Sequence, residues 1–211
     1  MKPDAVRPPT SHERMSGRPW DASYYDGPAP WDVGRPQPAV TRLASEGAFT
    51  GTVLDAGCGT GENSLLVAAL GLPMLGVDVA ETALSMAREK AAERAIPAEF
   101  AWADALRLER LGRRFYTVLD CGLFHSVDGD ERPEYVASLA SVTGSDATLY
   151  VLCFSDVGPD TGPHPVSRDE LAAPFSPGSG WNVAGIEADR VLTRFHDDHG
   201  APAWLATVKR V

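Results

Sequence analysis

The sequence has few cysteines, no long apolar run and no excess of positive charge, and each shortage excludes a class of protein. Its three cysteines, Cys58, Cys121 and Cys153, are far apart and form no CxxC pair. This spacing argues against a disulfide framework or a structural zinc site and favours a reducing compartment. No apolar run approaches the ~20 residues that a membrane span needs, and the N-terminus lacks the apolar core of a signal peptide. We therefore expect a cytoplasmic protein that does not associate with membranes.

The charge balance narrows the choice of partners. The 211-residue chain has a formal net charge of -10 at pH 7. An acidic surface repels phosphate backbones, so we expect no nucleic-acid partner, whereas a neutral or cationic small molecule is compatible with it. Acidity is also common among soluble enzymes. It does not fix the oligomeric state, and a monomer and a homodimer both remain open.

Composition divides the chain into three parts. Residues 1–19 are rich in Pro, Arg, Ser and Thr with almost nothing apolar, which predicts a disordered or loosely attached tail. Residues 20–38 carry aromatic side chains without helical or strand periodicity, so they form either a loop docked on the core or a lid over a ligand. Residues 39–211 are long enough for a single domain. The aromatic residues of the middle part are Trp20, Tyr24, Tyr25 and Trp31.

Strand and helix patterns alternate along residues 39–211. This alternation predicts a doubly wound, Rossmann-like α/β fold with helices on both faces of a mostly parallel sheet. Residues 196–202 contain no helix pattern, so the last two strands should form an antiparallel hairpin. Strands are predicted at 52–55, 74–77, 98–102, 116–120, 148–154, 182–194 and 203–209, and helices at 39–46, 62–70, 81–94, 133–143 and 167–173.

The most informative segment joins the first strand to the helix that follows it. Gly57, Gly59 and Gly61 alternate there, and glycines let a ligand approach the main chain closely. Asp78 ends the next strand, where an acid can accept hydrogen bonds from ribose hydroxyls. Asp104 follows the third strand and could accept one from an adenine amino group. Together these residues predict an adenosine-binding site.

Two features favour S-adenosylmethionine (SAM) over a dinucleotide. The glycines follow GxGxG, and Glu62 occupies the position of the third glycine in the dinucleotide pattern, where it would repel a pyrophosphate. SAM carries a net positive charge, which Asp55, Glu62, Asp78 and Asp104 would attract. We therefore expect a methyltransferase that releases S-adenosylhomocysteine (SAH). An NAD-linked oxidoreductase and a non-catalytic SAM-binding module are the alternatives.

The segment 53–61, Asp78 and residues 103–105 resemble the class I SAM-dependent methyltransferase superfamily. The resemblance implies a seven-stranded sheet, a glycine turn under the methionine part of SAM, Asp78 on the ribose, and Val79 and Asp104 on the adenine. Residues 30–38, 59–63 and 123–125 resemble its small-molecule branch, which includes thiopurine, thiol and halide methyltransferases and actinobacterial enzymes that methylate heterocycles or quinone-like phenols. That likeness implies a tryptophan covering SAM and favours the lid interpretation. The expected cofactor residues are Trp31, Asp55, Gly57, Cys58, Gly59, Gly61, Asn63, Asp78, Val79, Asp104, Ala105, Cys121 and Gly122.

The acceptor side is expected beyond the fourth and fifth strands. His125 is the candidate general base, because its ordinary pKa lies near ~6.5; alternatively it only hydrogen-bonds its loop or faces solvent. Residues 155–166 form either a flap over the acceptor or an ordinary surface loop. No metal is expected, because Asp120 lacks suitably spaced acidic partners. We predict methyl transfer to N, O or S of a small, aromatic or heterocyclic molecule, in secondary metabolism or detoxification. The candidate acceptor residues are Tyr24, Tyr25, Phe124, His125, Phe154 and His164.

Overall fold

A computed structural model of the protein describes residues 7–159 and 161–211, and its seven strands form one sheet. The strand order is β3-β2-β1-β4-β5-β7-β6. The first five strands pair in parallel, while β7 is antiparallel to both of its neighbours. The predicted parallel sheet with a reversed C-terminal hairpin is thus confirmed. The strands are β1 (Val53–Ala56), β2 (Met74–Asp78), β3 (Ala98–Trp102), β4 (Phe115–Cys121), β5 (Thr143–Phe154), β6 (Trp181–Val191) and β7 (Ala201–Arg210).

Six α-helices accompany the strands in the described ranges. Short 3-10 turns lie at Trp20–Tyr24, Ala105–Leu111, Phe124–Ser126 and Pro177–Ser179. None of the helices in these ranges is long and apolar enough to cross a bilayer. The helices are α1 (Ser11–Ser16), α2 (Pro38–Ser45), α3 (Glu62–Ala69), α4 (Glu81–Glu93), α5 (Arg132–Ser141) and α6 (Arg168–Ala172).

The central strands are buried on both faces. Successive residues of a strand point to opposite sides of the sheet, and they enter different core clusters. Leu54 and Val118 belong to the cluster that includes residues of α5, whereas Val53 and Leu119 belong to the cluster that includes residues of α2 and α3. All four side chains are fully buried. This two-sided burial explains why these strands read as continuous apolar runs.

The prediction of a loosely attached tail was wrong over residues 7–19, while residues 1–6 lie outside the described ranges. Helix α1 begins with a capping box in which Thr10 and Glu13 bond each other's backbone. Glu13 also accepts hydrogen bonds from the Arg7 side chain and the Trp20 backbone. Composition failed here because the segment is held by polar contacts, whereas the prediction counted only apolar area.

Several predicted boundaries move, and the start of β5 moves furthest. Strand β5 begins at Thr143, which was expected to end the preceding helix, and not at Thr148. The pairing with β4 shifts register between Phe115 and Thr117, so residues 144–147 extend the strand through an irregular stretch. The carboxyl end is unaffected, and β1 to β5 all finish at one edge of the sheet. That edge carries the site.

Candidate functional site

The turn after β1 is built from three glycines with positive φ. Gly57, Gly59 and Gly61 have φ angles of 76°, 53° and 80°, a region that side chains disfavour. The backbone N–H groups of Gly57 and Cys58 both donate to the Val77 carbonyl at 2.9 Å. This pairing fixes the turn against the end of β2. The result is a main-chain cradle whose surface lines a deep cavity.

Two carboxylates face the same cavity from β2 and from the loop after β3. The two oxygens of Asp78 accept hydrogen bonds from the backbone N–H groups of Gly59 at 2.8 Å and Ala80 at 2.9 Å. Burial raises the pKa of Asp78, although these bonds oppose the shift. Asp104 accepts from the Leu106 N–H at 2.9 Å. Each carboxylate is held rigidly and retains lone pairs for a ribose diol or an adenine amino group.

Asp55 does not line the cavity and is buried near the end of β1. Its side chain is almost fully buried and accepts a hydrogen bond from Ser64 at 2.6 Å, while Oδ1 has no partner among the described residues. Burial raises the pKa of Asp55 to about 7. A group that is partly protonated and shielded in this way attracts a cation only weakly, so its role as a contact residue is not supported. Its hydrogen bond to Ser64 instead joins the end of β1 to α3.

Glu62 is neutralised by two basic side chains of α4 and its end. Lys90 bonds its Oε1 at 2.8 Å, and Arg94 bonds its Oε2 at 2.8 Å. Although burial acts to raise it, hydrogen bonds from Arg94 and Lys90 hold the pKa of Glu62 below its usual value. The cluster therefore carries a net positive charge. The electrostatic argument that Glu62 repels a pyrophosphate is wrong, because it ignored these partners.

Residues 20–38 form a roof over the glycine turn. The buried Tyr24 accepts a hydrogen bond from Trp31 Nε1 at 2.9 Å, and Asp32 accepts one from Thr60 at 3.0 Å. Tyr24 and Trp31 line the cavity, but Tyr25 does not. Tyr25 is 62% exposed and bonds Asp21. Consecutive residues of a 3-10 turn point about 120° apart, so the two tyrosines cannot face one ligand.

His125 lies at the other end of the cavity, after β4. Its ring centroid is 4.5 Å from that of Phe154, and its Nδ1 accepts the Phe154 backbone N–H at 3.4 Å. Burial, together with the nearby His164 and His12, lowers the pKa of His125 to about 3. The ring is therefore neutral, and since Nδ1 accepts a hydrogen bond, its proton is on Nε2. This tautomer can donate to an acceptor but cannot take a proton at Nε2.

Phe154 and His164 also line the cavity, whereas Phe124 does not. Phe124 is fully buried and stacks on Phe175 with ring centroids 5.8 Å apart. Its prediction as an acceptor residue was wrong because, one position before His125 in a 3-10 turn, its side chain points into the core.

Two cysteines of the site are neutral thiols. Burial raises the pKa of both Cys58 and Cys121 far above the ordinary value. Thiols in this state are poor nucleophiles, so both are small wall residues. No cluster of metal-binding side chains is found in residues 7–159 and 161–211.

The cavity collects most of the residues predicted from sequence. Asp55, Tyr25 and Phe124 are the three that stay outside. The predicted residues that line it are Tyr24, Trp31, Gly57, Cys58, Gly59, Gly61, Asn63, Asp78, Val79, Asp104, Ala105, Cys121, Gly122, His125, Phe154 and His164.

Several lining residues were missed. Arg35 faces the cavity and makes no hydrogen bond or ion pair with the described part of the chain, and it belongs to the segment 30–38 that carries the narrower resemblance. Thr193 and Phe195 reach it from the connection between β6 and β7. His12 enters from α1. Its local sequence gives no signal for a site, because the contact depends on how α1 packs.

Comparison with known proteins agrees with this geometry. The methyltransferase domain family matches residues 53–146. The chain is 37% identical over 166 residues to a 2-heptyl-1-hydroxyquinolin-4(1H)-one methyltransferase of Mycobacteroides abscessus, covering 77% of this chain and 72% of that protein. It is 27% identical to thiocyanate methyltransferase 1 of Brassica oleracea over 68% of this chain and 65% of the relative.

A solved structure is also similar over nearly the whole chain. It comes from work on the conversion of a disulfide bond into a thioacetal group during echinomycin biosynthesis, with a TM-score of 0.80 and 35% identity. The match covers 90% of this chain and 91% of the other.

The fold and the cavity define a class I methyltransferase architecture. The chain belongs to the SAM-dependent methyltransferase family, as the glycine turn and the two acids predicted. The cofactor is therefore SAM, and neither the NAD-linked alternative nor a purely binding role is supported. Since the Glu62 argument failed, the assignment rests on the turn, on Asp78 and Asp104, and on these relatives.

Proposed function

We propose that the protein transfers the methyl group of SAM to an N, O or S atom of a small aromatic or heterocyclic molecule. One observation carries the proposal. A single cavity has rigid acceptors for an adenosine at one end and a wall of aromatic and imidazole rings at the other. The cofactor end and the acceptor end meet at the loop that carries Cys121 and Gly122.

The cofactor contacts follow from the polar groups of the first end. Asp78 would hold the ribose diol, and Asp104 would accept from the adenine amino group. The glycine turn would lie under the methionine part. Arg35, which has no partner in the described ranges, would hold the cofactor's carboxylate as a paired charge. The roof that includes Trp31 would act as a lid.

When bound, SAM supplies a methyl group already activated by its sulfonium. The protein then needs to orient an acceptor in line with that methyl group and to exclude water, and both effects lower the barrier. Tyr24 and Trp31 shield the cofactor end from above. Phe154 offers a flat apolar surface to a ring at the acceptor end.

The role of His125 differs from the general base expected from sequence. We propose that its Nε2–H donates a hydrogen bond to the acceptor and orients the lone pair that attacks. The hydrogen bond at Nδ1 and the low pKa support this role. An acceptor that must lose a proton would do so before binding or to another group.

The relatives support an acceptor with a nucleophilic oxygen, nitrogen or sulfur. The mycobacterial protein is named for a hydroxyquinolinone and the Brassica protein for thiocyanate. The planar hydroxyquinolinone suits a cavity end lined by rings. We therefore rank aromatic N-hydroxy and phenolic compounds first, and thiols second.

Calorimetry with SAH and a methyl-transfer screen test this proposal. The screen uses 2-heptyl-1-hydroxyquinolin-4(1H)-one, simple phenols and aryl thiols with labelled SAM. We expect SAH to bind and at least one compound to be methylated. Asp78→Ala should weaken SAH binding by roughly tenfold or more, whereas Glu109→Ala, on the exposed surface, should not. Wild-type protein that binds neither SAM nor SAH would contradict the proposal.

Arg35 allows a sharper test. Arg35→Met should weaken binding of SAH by about tenfold and leave binding of 5′-methylthioadenosine, which lacks the carboxylate, unchanged. Equal losses for both ligands would contradict the assignment of Arg35.

A cytoplasmic location remains our proposal, supported by three free cysteines. The oligomeric state, monomer or homodimer, stays a prediction that sedimentation would decide.

A further inference from the structure

The N-terminal segment Arg7–Trp20 is fixed on the loop that precedes α5. The Ser11 backbone N–H and hydroxyl donate to the two oxygens of Glu131, both at 2.7 Å. The same hydroxyl accepts from the Asp128 N–H at 3.1 Å, and Arg14 pairs with Glu131 at 3.1 Å. This pattern is specific, because it joins residues more than a hundred positions apart through matched donors and acceptors. It sets the position of α1 over the cavity.

These contacts of Ser11 and Arg14 with Asp128 and Glu131, which we call the clamp, place one side chain of α1 in the cavity. His12, the residue after Ser11, lines it, and the His12 ring stacks on Trp20 with centroids 4.2 Å apart and planes 13° apart. Its edge meets His164, with centroids 6.0 Å apart. A stacked ring has a fixed orientation, which a side chain that merely fills space does not need.

The surroundings of His12 assign it to the acceptor end. It lies against His164, with which its ring makes an edge contact, and near His125, whose pKa it helps to lower, and these two residues line the cavity beside Phe154. Burial and His164 together lower the pKa of His12, while Glu13 opposes the shift. The ring is therefore neutral near pH ~7 and offers one N–H donor and one acceptor nitrogen.

We propose that the segment Arg7–Trp20 completes the acceptor-binding site and that His12 contacts the methyl acceptor directly. This inference rests on the proposed function, because it needs an acceptor beside His125. It adds a specificity-determining residue from a part of the chain outside the methyltransferase domain match. The stack on Trp20 gives the imidazole a fixed direction, so it selects acceptors that carry a hydrogen-bonding group on that side.

Steady-state kinetics of His12 variants test the inference. The acceptor is whichever compound the screen above finds to be methylated, and SAH binding is measured in parallel by calorimetry. His12→Ala should raise the KM of the acceptor by about tenfold or more, with SAH affinity unchanged within about twofold. His12→Phe keeps the stack on Trp20 but loses the hydrogen bond, and should resemble His12→Ala; His12→Gln should recover part of the loss. Met15→Ala is the matched control, since Met15 lies on the same helix and is 66% exposed.

Ser11→Ala provides a second route, since it weakens the clamp by removing the hydroxyl's hydrogen bonds to Glu131 and Asp128 while the His12 side chain itself is unchanged. It should raise the acceptor KM, and His12→Ala should add less in this background than it does in wild type. An unchanged acceptor KM in His12→Ala, with normal SAH binding, would overturn the inference and leave the proposed function intact. A loss of SAH affinity in His12→Ala would overturn it too, since His12 would then serve the cofactor. If wild-type protein binds SAH but methylates no compound of the screen, the inference falls together with the proposed acceptor class.

Discussion

Gly59 links the cofactor cradle to its roof, and an alanine there should disturb both. Its φ of 53° lies in the left-handed region, where an added Cβ costs roughly 1–2 kcal/mol. The same Cβ would stand 3.2 Å from the Tyr24 hydroxyl oxygen. Tyr24 would have to move by a few tenths of an ångström, and this hydroxyl also accepts the Trp31 hydrogen bond. Weakening one such bond costs about 0.5–1.5 kcal/mol.

We therefore expect Gly59→Ala to lose stability and to bind SAH about five times more weakly. Gly71→Ala is the matched control. Gly71 has a φ of 83°, but its Cβ would meet nothing within 4 Å. It should lose a similar amount of stability, roughly 1–2 kcal/mol, without any change in SAH affinity. Urea unfolding measures the first quantity and calorimetry the second.

The contact with Tyr24 can be isolated by a double-mutant cycle. Tyr24→Phe alone should weaken SAH binding, because it removes the bond to Trp31. In the Gly59→Ala background, Tyr24→Phe also removes the crowded hydroxyl oxygen. The double variant should therefore lose less SAH affinity than the two single variants lose in total. Additive effects, or an SAH loss in Gly71→Ala equal to that in Gly59→Ala, would refute the reasoning.

Three further predictions concern charge. Burial raises the pKa of Asp55 from 3.8 to about 7, so its contribution to stability is present below pH ~4 and lost as the pH rises through ~7. Asp55→Asn removes this loss. Its free energy of unfolding in urea, relative to that of wild type, should rise by up to ~4 kcal/mol between pH ~4 and ~8. A difference between the two proteins that does not change with pH would contradict this prediction. Because the pKa of His125 is lowered to about 3, the pH profile of kcat/KM between pH ~5 and ~8 should follow the ionisation of the acceptor and shift when acceptors of different pKa are compared. A midpoint that stays the same for all acceptors would contradict this prediction. Glu62→Gln should change SAH affinity by less than about threefold, since Lys90 and Arg94 already compensate its charge; a larger loss would restore the electrostatic role expected from sequence.

Local sequence was enough for the fold and for most of the cofactor end. Strands separated by helices lead to one parallel sheet, and the carboxyl ends of its strands meet at one edge. Residues next to those ends, such as Gly57, Asp78 and Asp104, therefore share a cavity whatever the details of packing. The short connection between the last strands likewise leaves only a hairpin.

The acceptor end was harder to predict because its residues come from separate elements. Tyr25 and Phe124 are next to residues that line the cavity, yet the rotation of a short 3-10 turn directs them to solvent and to the core. Glu62 was assigned a free charge, but Lys90 and Arg94, which neutralise it, lie about thirty positions away.

The sequence by itself determined the mostly parallel sheet with its reversed hairpin, the glycine cradle and the two acids, because each depends on a strand and the residues that directly follow it. Only the tertiary structure decided that His12 lines the cavity and that burial lowers the pKa of His125. Those properties arise from the clamp between Ser11 and Glu131 and from burial beside Phe154, which are long-range contacts with no local pattern.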